Sequence, residues 1–454
     1  MAIPDSVVEL IERFGLNRPS YHSNLYNEAQ VRVEFVNPLF KALGWDVDNA
    51  QGYADAYKDV VYEGRLMVAT ASKAPDYSFR VGGNRKFFVE AKKPAIPIKS
   101  DPASAFQLRR YAWSAKLLLS VLTNFEEFAV YDCRFEPKPK DKASVARVLY
   151  LKYEDYGDQW EKLAEIFSRD SVLKGLFDNF AVGSTKKRGT TPVDDAFLQE
   201  MQVWRGSLAH NIALRNPSLS EGELNYSVQQ TIDRLVFLRI CEDRTIEPYG
   251  QLQSAASAPG IYTRLLQIFR GADDRYNSGL FHFRREVGRI EGPDELTPNI
   301  TVDDKPLRDI VRRLYYPESP YEFSVIPAEI LGHVYEQFLG QVIRLTTNHR
   351  AIVEDKPEVR RAGGVYYTPT NVVEHIVEGT LGKLLPGKSL RQAANLRIVD
   401  PACGSGSFCW WPISTSWIGT CASTKMSPRS TSPSCDLWET DSGRLLPRSV
   451  SAFF

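Results

Sequence analysis

The sequence predicts an α/β domain with a mixed sheet and flanking helices, then an α-helical connector, and then an incomplete Rossmann-like domain with a disordered tail. Three observations lead to this prediction. Short strand patterns alternate with helical ones up to about residue 180, and helical spacing of apolar residues dominates from there to about residue 345. An apolar strand that ends in a glycine-rich turn follows near residue 400.

Polar stretches rich in breaker residues set the boundaries between these parts. The segments "VGSTKKRGTTPVDD" and "TTNHRAIVEDKPEVRRAGG" are typical of linkers. The predicted organisation is a first domain at 1–180, a linker at 181–195, the connector at 196–345, a linker at 346–362, the start of a second domain at 363–409 and an aberrant tail at 410–454. We expect residues 1–180 to fold independently, because they are numerous enough to form a core.

Composition restricts the class of protein. The chain has 454 residues, 43% of them hydrophobic and 25% charged, and its formal net charge is zero. It contains no apolar run of ~18 residues, and "MAIPDSVVELIERFG" lacks the basic-then-apolar plan of a signal peptide, so we expect no membrane segment and a cytoplasmic location. Six cysteines without a CxxC pair indicate neither a zinc site nor a disulfide framework. A local basic groove would still suffice for nucleic acid.

The first chemistry lies in "APDYSFRVGGNRKFFVEAKKP", which predicts two strands joined by a "GGN" hairpin turn. Side chains alternate along a strand, so Phe88, Glu90 and Lys92 share one face, while Asp76 begins the paired strand. The hairpin therefore gathers two carboxylates, which are expected to repel each other, and a lysine. Such carboxylates suit hydrated Mg²⁺, and the lysine can polarise or deprotonate water, as phosphodiester hydrolysis requires. A solvated, charged strand edge is the alternative.

The flanking elements add context to the hairpin. The amphipathic helix "QVRVEFVNPLFKALGW" carries Glu34, which is either a third carboxylate or an ordinary surface glutamate. Downstream, "AFQLRRYAWSA" places Gln107 and Tyr111 one helical turn apart. This order of elements resembles the PD-(D/E)xK nuclease fold, as found at the N-termini of type I and type IIG restriction enzymes. The resemblance implies that Asp76 and Glu90 bind Mg²⁺, that Lys92 assists the attacking water, and that Glu34 and Gln107 take part in catalysis.

The second chemistry lies in "LRIVDPACGSGSF", an apolar strand followed by a turn whose glycines let the backbone approach a ligand. It fits neither the phosphate-binding P-loop nor the dinucleotide fingerprint. It resembles the first motif of the DNA adenine-N6 methyltransferases, and the upstream "GGVYYTPTNVVEHIVEGTLG" resembles a segment of the same family. The resemblance implies that S-adenosylmethionine is bound by Tyr367, Thr368, Pro369, Asp400, Pro401, Ala402, Cys403, Gly404 and Gly406.

Taken together, residues from about 25 to Phe408 resemble a type IIG restriction–modification enzyme, which implies double-stranded DNA as the partner. After Phe408 the resemblance stops, and "CWWPISTSWIGTCASTKMSP" has no helical spacing. One explanation is a lost base, because restoring it permits "LLVAYQYFLDWHLREHQD", in which apolar residues recur at helical intervals. We therefore expect a truncation or frameshift after Phe408, which sequencing of the encoding DNA would test.

Two other functions remain open from the sequence. The chain could be a modification-only methyltransferase whose N-terminal domain is a degenerate, DNA-binding nuclease fold. It could also be an inert remnant or a DNA-binding decoy, for which salt-sensitive duplex binding without cleavage is expected.

A methyl-transfer assay tests the expectation for the 454-residue chain directly. The chain lacks the N-P-P-Y-type tetrad that grips a flipped adenine. We expect weak or undetectable affinity for S-adenosylmethionine and no tritium transfer to mixed-sequence duplex DNA. Measurable transfer would contradict the truncation hypothesis.

Overall fold

The chain forms two compact units. The computed structural model describes residues 3–62, 67–68, 71–72, 74–183, 192–276, 279–285, 292–356, 368, 370–384, 392, 399, 437–439 and 445–447. Unit 1 comprises Met1–Val193 together with Tyr316–Ile326, and unit 2 comprises Asp194–Tyr315 together with Pro327–Phe454.

Unit 1 alternates strands and helices. Its helices are α1 (Asp5–Tyr21), α2 (Glu28–Val31), α3 (Asn37–Ala42), α4 (Pro102–Ser114), α5 (Tyr156–Phe167), α6 (Arg169–Leu173) and α7 (Leu176–Gly183). Its strands are β1 (Val60–Val61), β2 (Met67–Val68), β3 (Ala71–Ser72), β4 (Tyr77–Val81), β5 (Asn84–Ala91), β6 (Leu119–Thr123), β7 (Glu127–Asp132) and β8 (Arg147–Lys152). A π-helical stretch (Arg32–Val36) joins α2 to α3.

Six of these strands form one sheet in the order β1-β4-β5-β6-β7-β8. Strands β5 and β6 run parallel, whereas every other neighbouring pair in this sheet is antiparallel. The parallel pair requires a crossover connection, and α4 supplies it. The mixed sheet with flanking helices that the sequence predicted is confirmed.

The β4–β5 hairpin forms where the sequence predicted it. Val81 pairs with Asn84, so the loop between them is only two residues long. Those residues, Gly82 and Gly83, have φ angles of 57° and 84°, which side chains with a Cβ rarely adopt. Two positive φ angles are what a tight hairpin turn needs to match the twist of its strands.

Apolar side chains cover both faces of the sheet. Along β5, Phe87 and Val89 belong to the core that packs against α1, α3 and α5–α7, whereas Phe88 belongs to a second core beneath α4. This alternation follows from the two-residue period of a strand. Within the larger core, Phe79 and Phe87 stack across the hairpin with their ring centroids 4.6 Å apart.

A short segment from much later in the chain completes the second core. Val325 is buried with Phe88, Leu108 and Leu122, and it lies in the stretch Tyr316–Ile326 that belongs to unit 1. The predicted connector at 196–345 is therefore interrupted, because eleven of its residues belong to unit 1. Unit 1 is also not built from residues 1–180 alone.

Unit 2 is mainly helical. Its helices are α8 (Val193–Arg215, whose first residue is assigned to unit 1), α9 (Glu221–Asp243), α10 (Gln251–Ala255), α11 (Ile261–Asp273), α12 (Asp304–Arg313), α13 (Ala328–Leu339) and α14 (Thr370–Leu384). Two antiparallel pairs accompany them, β9 (Gln341–Leu345) with β10 (Ala351–Asp355) and β11 (Leu437–Glu439) with β12 (Leu445–Pro447). None of the helices in the described ranges is long and apolar enough to cross a membrane.

Two boundaries differ from the sequence interpretation. The hairpin of β9 and β10 spans the predicted end of the connector at 345 and runs into the predicted linker, 346–362. In the tail, for which the sequence predicts disorder, the structure describes the strand pair β11–β12. The rest of the tail lies outside the described residues, so its disorder stays a prediction.

Truncation of Phe87 tests the larger core. Phe87 is fully buried, and its ring lies within 5.7 Å of the rings of Trp45, Phe167 and Phe177. We expect Phe87→Ala to lower the free energy of unfolding by about 3–5 kcal/mol, because the cavity cannot collapse fully. Hydrogen exchange of peptides from β4 and β5 at increasing urea concentrations measures this free energy of unfolding. As the control, Leu25→Ala, at a residue that is 91% exposed, should change it by less than about 0.5 kcal/mol.

Candidate active site

The two predicted carboxylates lie side by side in the interior of unit 1. Tyr77 pairs with Val89, so the next step along the antiparallel ladder brings Asp76 to Glu90. The backbone N–H of Asp76 donates to Oε2 of Glu90 at 3.3 Å. Only 4% of Asp76 and 3% of Glu90 are exposed, so these carboxylates are not on a solvated strand edge.

Lys92 lies at the same end of β5. Its Nζ donates to Oε1 of Glu90 at 2.7 Å. It also lies 3.9 Å from Oε1 of Glu28, a residue of α2. The structure therefore brings a lysine and a third carboxylate, Glu28, to the pair.

A second cation, Arg32, holds Asp76. Its Nη1 donates to Oδ1 of Asp76 at 2.8 Å, while the backbone N–H of Ala91 donates to Oδ2 at 2.9 Å. The expected repulsion between the two carboxylates is thus offset by one protein cation on each of them. Glu28 and Arg32 are four residues apart, so they lie on one face of the helix and point to the same centre.

Helix α4 contributes Gln107 from above the sheet. Its Nε2 donates to Oε1 of Glu90 at 3.1 Å and lies 3.4 Å from the hydroxyl oxygen of Tyr111. Asp101 caps α4 by accepting from the backbone N–H groups of Ala103 and Ser104, which fixes where the helix begins. Gln107 and Tyr111 therefore lie one helical turn apart and in contact, as their spacing in the sequence predicts.

Glu34 is not brought to the pair. Arg13 donates to the backbone oxygen of Glu34. Burial raises the pKa of Tyr26, and the nearby Glu34 carboxylate raises it further. Glu34 thus faces Tyr26 rather than the hairpin, two residues past Arg32 on the π-helical stretch. The third carboxylate near the pair is Glu28 instead, which lies 3.9 Å from Nζ of Lys92. The signal that could have found Glu28 is its position one turn before Arg32, directly after an Asn27 cap.

Burial shapes the electrostatics of the centre. It raises the pKa of Glu90 well above the usual range, and the neighbouring Asp76 carboxylate raises it further, although Lys92 opposes both. Burial lowers the pKa of the Lys92 ammonium, but the surrounding carboxylates, above all Glu90, raise it past the usual lysine value. Lys92 is therefore a firmly protonated cation in this arrangement.

The donor set suits a hard cation that keeps most of its water. No group of three or more His, Cys, Asp or Glu side chains in the part of the chain that the structure describes is arranged to hold a metal ion. Mg²⁺ needs only one or two protein carboxylates, and crowding between Asp76 and Glu90 is relieved by positive charge. The chemistry of the site therefore fits Mg²⁺ better than zinc, which prefers nitrogen and sulfur ligands.

The residues expected to bind S-adenosylmethionine lie almost entirely outside the described residues. Thr368 is described and partly buried, whereas Tyr367, Pro369 and the motif 400–406 are not described. Helix α14 follows Thr368 and buries a stripe of apolar residues, Val373, Val377 and Leu381, as the sequence pattern there suggests. The predicted cofactor contacts remain predictions.

Two comparisons with known proteins bear on this chain. Residues 327–411 match the family N-6 DNA Methylase, and this range contains both predicted cofactor motifs. The type II restriction enzyme and methyltransferase RM.Eco57I of Escherichia coli is 36% identical over 407 residues, which cover 89% of this chain and 40% of that enzyme. Over most of its length the chain is therefore similar to an enzyme that combines restriction and methyltransferase functions. The resemblance inferred from its motifs is thereby confirmed, and the chain spans about two fifths of this relative's length.

A solved structure is also similar to the chain, but weakly. The type IIG restriction endonuclease BpuSI shares 16% identity at a TM-score of 0.21, over 85% of this chain and 37% of that one. A TM-score this low does not establish a common arrangement of the two chains.

The raised pKa of Glu90 predicts a pH effect on stability in the presence of a chelator. The pKa of Glu90 is about 4.5 in the unfolded protein and higher in the folded protein. At a pH between these two pKa values, the folded protein therefore binds more protons than the unfolded protein. The free energy of unfolding of the wild type should therefore fall, relative to that of Glu90→Gln, as pH rises above 4.5. Urea denaturation at a series of pH values measures the difference, with Glu9→Gln on α1 as the control. A difference that does not change with pH would contradict the assignment.

Proposed function

We propose that unit 1 is a Mg²⁺-dependent DNA endonuclease. The observation that carries this proposal is the cluster of the buried Asp76 and Glu90 with the partly buried Lys92 at one end of the β4–β5 hairpin. Two adjacent buried carboxylates with a partly buried lysine are costly for a protein to retain, and stability alone gives no reason for them. Phosphodiester hydrolysis uses all three groups.

Asp76 and Glu90 would hold the metal ion, and Glu28 lies close enough to Lys92 to take part. Mg²⁺ would supply positive charge for the phosphate oxygens and lower the pKa of an attacking water. Oδ1 of Asp76 accepts from Arg32 and Oδ2 accepts from the backbone N–H of Ala91, which offsets the negative charge of this buried carboxylate. These contacts also fix the orientation of the Asp76 carboxylate.

Lys92 has the role of a cation rather than a base. The carboxylates around Lys92 raise its pKa, which favours the protonated ammonium over the neutral amine that a general base requires. It can orient a water by hydrogen bonding and stabilise negative charge that develops on the phosphate. Of the two roles that the sequence left open for Lys92, polarising the water is the one that this pKa favours.

The intact residue set weighs against a degenerate nuclease fold. A domain kept only to bind DNA has no need for Asp76, Glu90 and Lys92 at hydrogen-bonding distance in the interior. Double-stranded DNA is the proposed substrate. This rests on the nuclease chemistry of the site and on the relative, which is named as a restriction enzyme and methyltransferase.

We propose a second activity for the chain's family, adenine-N6 methylation of DNA with S-adenosylmethionine. The match of residues 327–411 to N-6 DNA Methylase supports it, and so does the segment "DPACGSGSF" within that range. Asp400 and the turn at 403–406 would hold the cofactor, together with Thr368 and Pro369.

Substitutions of Lys92 and Asp76 test the nuclease. We expect Lys92→Ala and Asp76→Asn each to lower the rate of Mg²⁺-dependent cleavage of plasmid DNA by about 10²-fold or more, because the first removes a cation near the reacting phosphate and the second removes a proposed metal ligand. Lys86→Ala is the matched control. Lys86 is on the same strand, and its partner Asp178 lies outside the centre. Equal cleavage by all four proteins would assign the activity to a contaminant.

The same variants separate a catalytic from a structural role. Asp76→Asn leaves Arg32 without its carboxylate, so we expect a loss of about 1–3 kcal/mol in unfolding free energy. The cleavage assay must therefore be run well below the melting temperature of the variant. Loss of cleavage in a protein that is still fully folded supports the proposal, whereas loss that only follows unfolding contradicts it.

Binding of S-adenosylmethionine tests the second activity. We expect Asp400→Ala to weaken any cofactor crosslinking or equilibrium-dialysis signal by about tenfold or more, since a bond to a charged acceptor contributes ~1.5–3 kcal/mol. Asp355→Ala, which removes a carboxylate from β10, is the control. A signal that Asp400→Ala leaves unchanged would place the cofactor elsewhere.

A further inference from the structure

Residues 316–326, which we name the strap, belong to unit 1 although they lie far beyond its sheet in sequence. The chain leaves unit 2 at Tyr315 and returns to it at Pro327. The match to N-6 DNA Methylase begins at residue 327, directly after the strap.

Polar contacts join the strap to α4. Arg110 of α4 forms a short ion pair with Glu322, and its Nη2 lies 3.3 Å from the backbone oxygen of Tyr321. The backbone N–H of Glu322 donates to Oγ of Ser114 at 2.9 Å. Glu322 is buried and Arg110 largely so, since their side chains are 2% and 14% exposed.

Apolar contacts reinforce this attachment. The rings of Trp113 and Tyr321 stack with their centroids 5.7 Å apart, and those of Phe106 and Tyr316 lie 6.4 Å apart. Val325 is buried in the core beneath α4. The strap thus touches α4 along most of its length, from its second turn to its last.

The adjacent face of the same helix reaches the candidate active site. Successive residues of a helix are about 100° apart, so Gln107 and Tyr111 each neighbour a strap contact, Phe106 and Arg110 respectively. Gln107 donates to Glu90, and Tyr111 lies next to Gln107. A shift of α4 at the strap would therefore move Gln107 relative to Glu90.

We propose that Glu322 is a positioning residue for the nuclease centre, acting through Arg110 and α4 on the contact between Gln107 and Glu90. The inference rests on the proposed nuclease function. Glu322→Gln leaves the largely buried Arg110 without its carboxylate, and an ion that loses its partner in such a place is strongly unfavourable. We expect Arg110 to turn toward water, so that α4 loses its ion pair with the strap, one of the contacts that fix its outer face.

The test uses the full chain with Glu322→Gln. We expect kcat for Mg²⁺-dependent DNA cleavage to fall about tenfold or more, because small displacements of groups around reacting atoms are costly. KM for DNA should stay unchanged, since Glu322 is buried and cannot touch the duplex. Amide exchange of residues 102–114, measured by mass spectrometry, should become faster.

A matched variant separates positioning from general loss of stability. Asp59→Asn breaks another ion pair of unit 1 that has a buried carboxylate, the pair of Asp59 with Arg169, which has no part in α4. At a temperature where both variants are fully folded, Asp59→Asn should keep the kcat of the wild type. The double variant Arg110→Gln/Glu322→Gln removes both charges and should recover part of the kcat that Glu322→Gln loses.

The outcomes distinguish the two proposals. If the wild type cleaves, Lys92→Ala does not, and Glu322→Gln keeps the wild-type kcat, then the positioning role is wrong and the nuclease proposal stands. A loss of kcat that Asp59→Asn reproduces also overturns the positioning role. Both proposals fail together if the wild type shows no Mg²⁺-dependent cleavage, or if Lys92→Ala cleaves as well as the wild type.

Discussion

The burial of two carboxylates side by side is the constraint on which the centre of unit 1 depends. The hairpin register forces the contact, because Tyr77 opposite Val89 leaves Asp76 beside Glu90. Two buried negative charges are not stable unless cations or N–H groups compensate them. The helix after Asn27 supplies Arg32 for Asp76, β5 supplies Lys92 for Glu90, and α4 supplies the amide of Gln107. The elements around the hairpin are therefore arranged by charge as well as by apolar packing.

The part of this arrangement that depends on local sequence could be predicted. The hairpin follows from alternation and from two glycines, and the spacing of Gln107 and Tyr111 follows from one helical turn. The carboxylate on the preceding helix could not be assigned in the same way. The helical pattern read from the sequence begins at Gln30, after Glu28, and the π-helical stretch at Arg32–Val36 changes the phase of the helix at Glu34.

The packing of the strap could not be predicted from local sequence patterns, for a different reason. Its partners on α4 are some two hundred positions earlier, and no periodicity within the strap reports a contact of that range. The segment did carry a local signal against the helical connector, because Pro317 and Pro320 interrupt any helix there. The prolines predict an extended segment, but they do not indicate what it packs against. The burial of Val325 and the contacts of Tyr321 and Glu322 with α4 show what it packs against.

The compensation of the carboxylates by protein cations has a consequence for how the centre would load a metal. Arg32 forms an ion pair with Asp76 and Lys92 forms one with Glu90, so the protein itself compensates both negative charges. A metal ion that enters must compete with these ion pairs for the carboxylates. Its net binding free energy is the difference between its own interaction with the carboxylates and that of Arg32 and Lys92. That exchange favours weak, reversible binding, which suits Mg²⁺ because it retains most of its water. It also means that the geometry of the centre is set before the metal arrives, by the hairpin, by the helix carrying Arg32 and by α4.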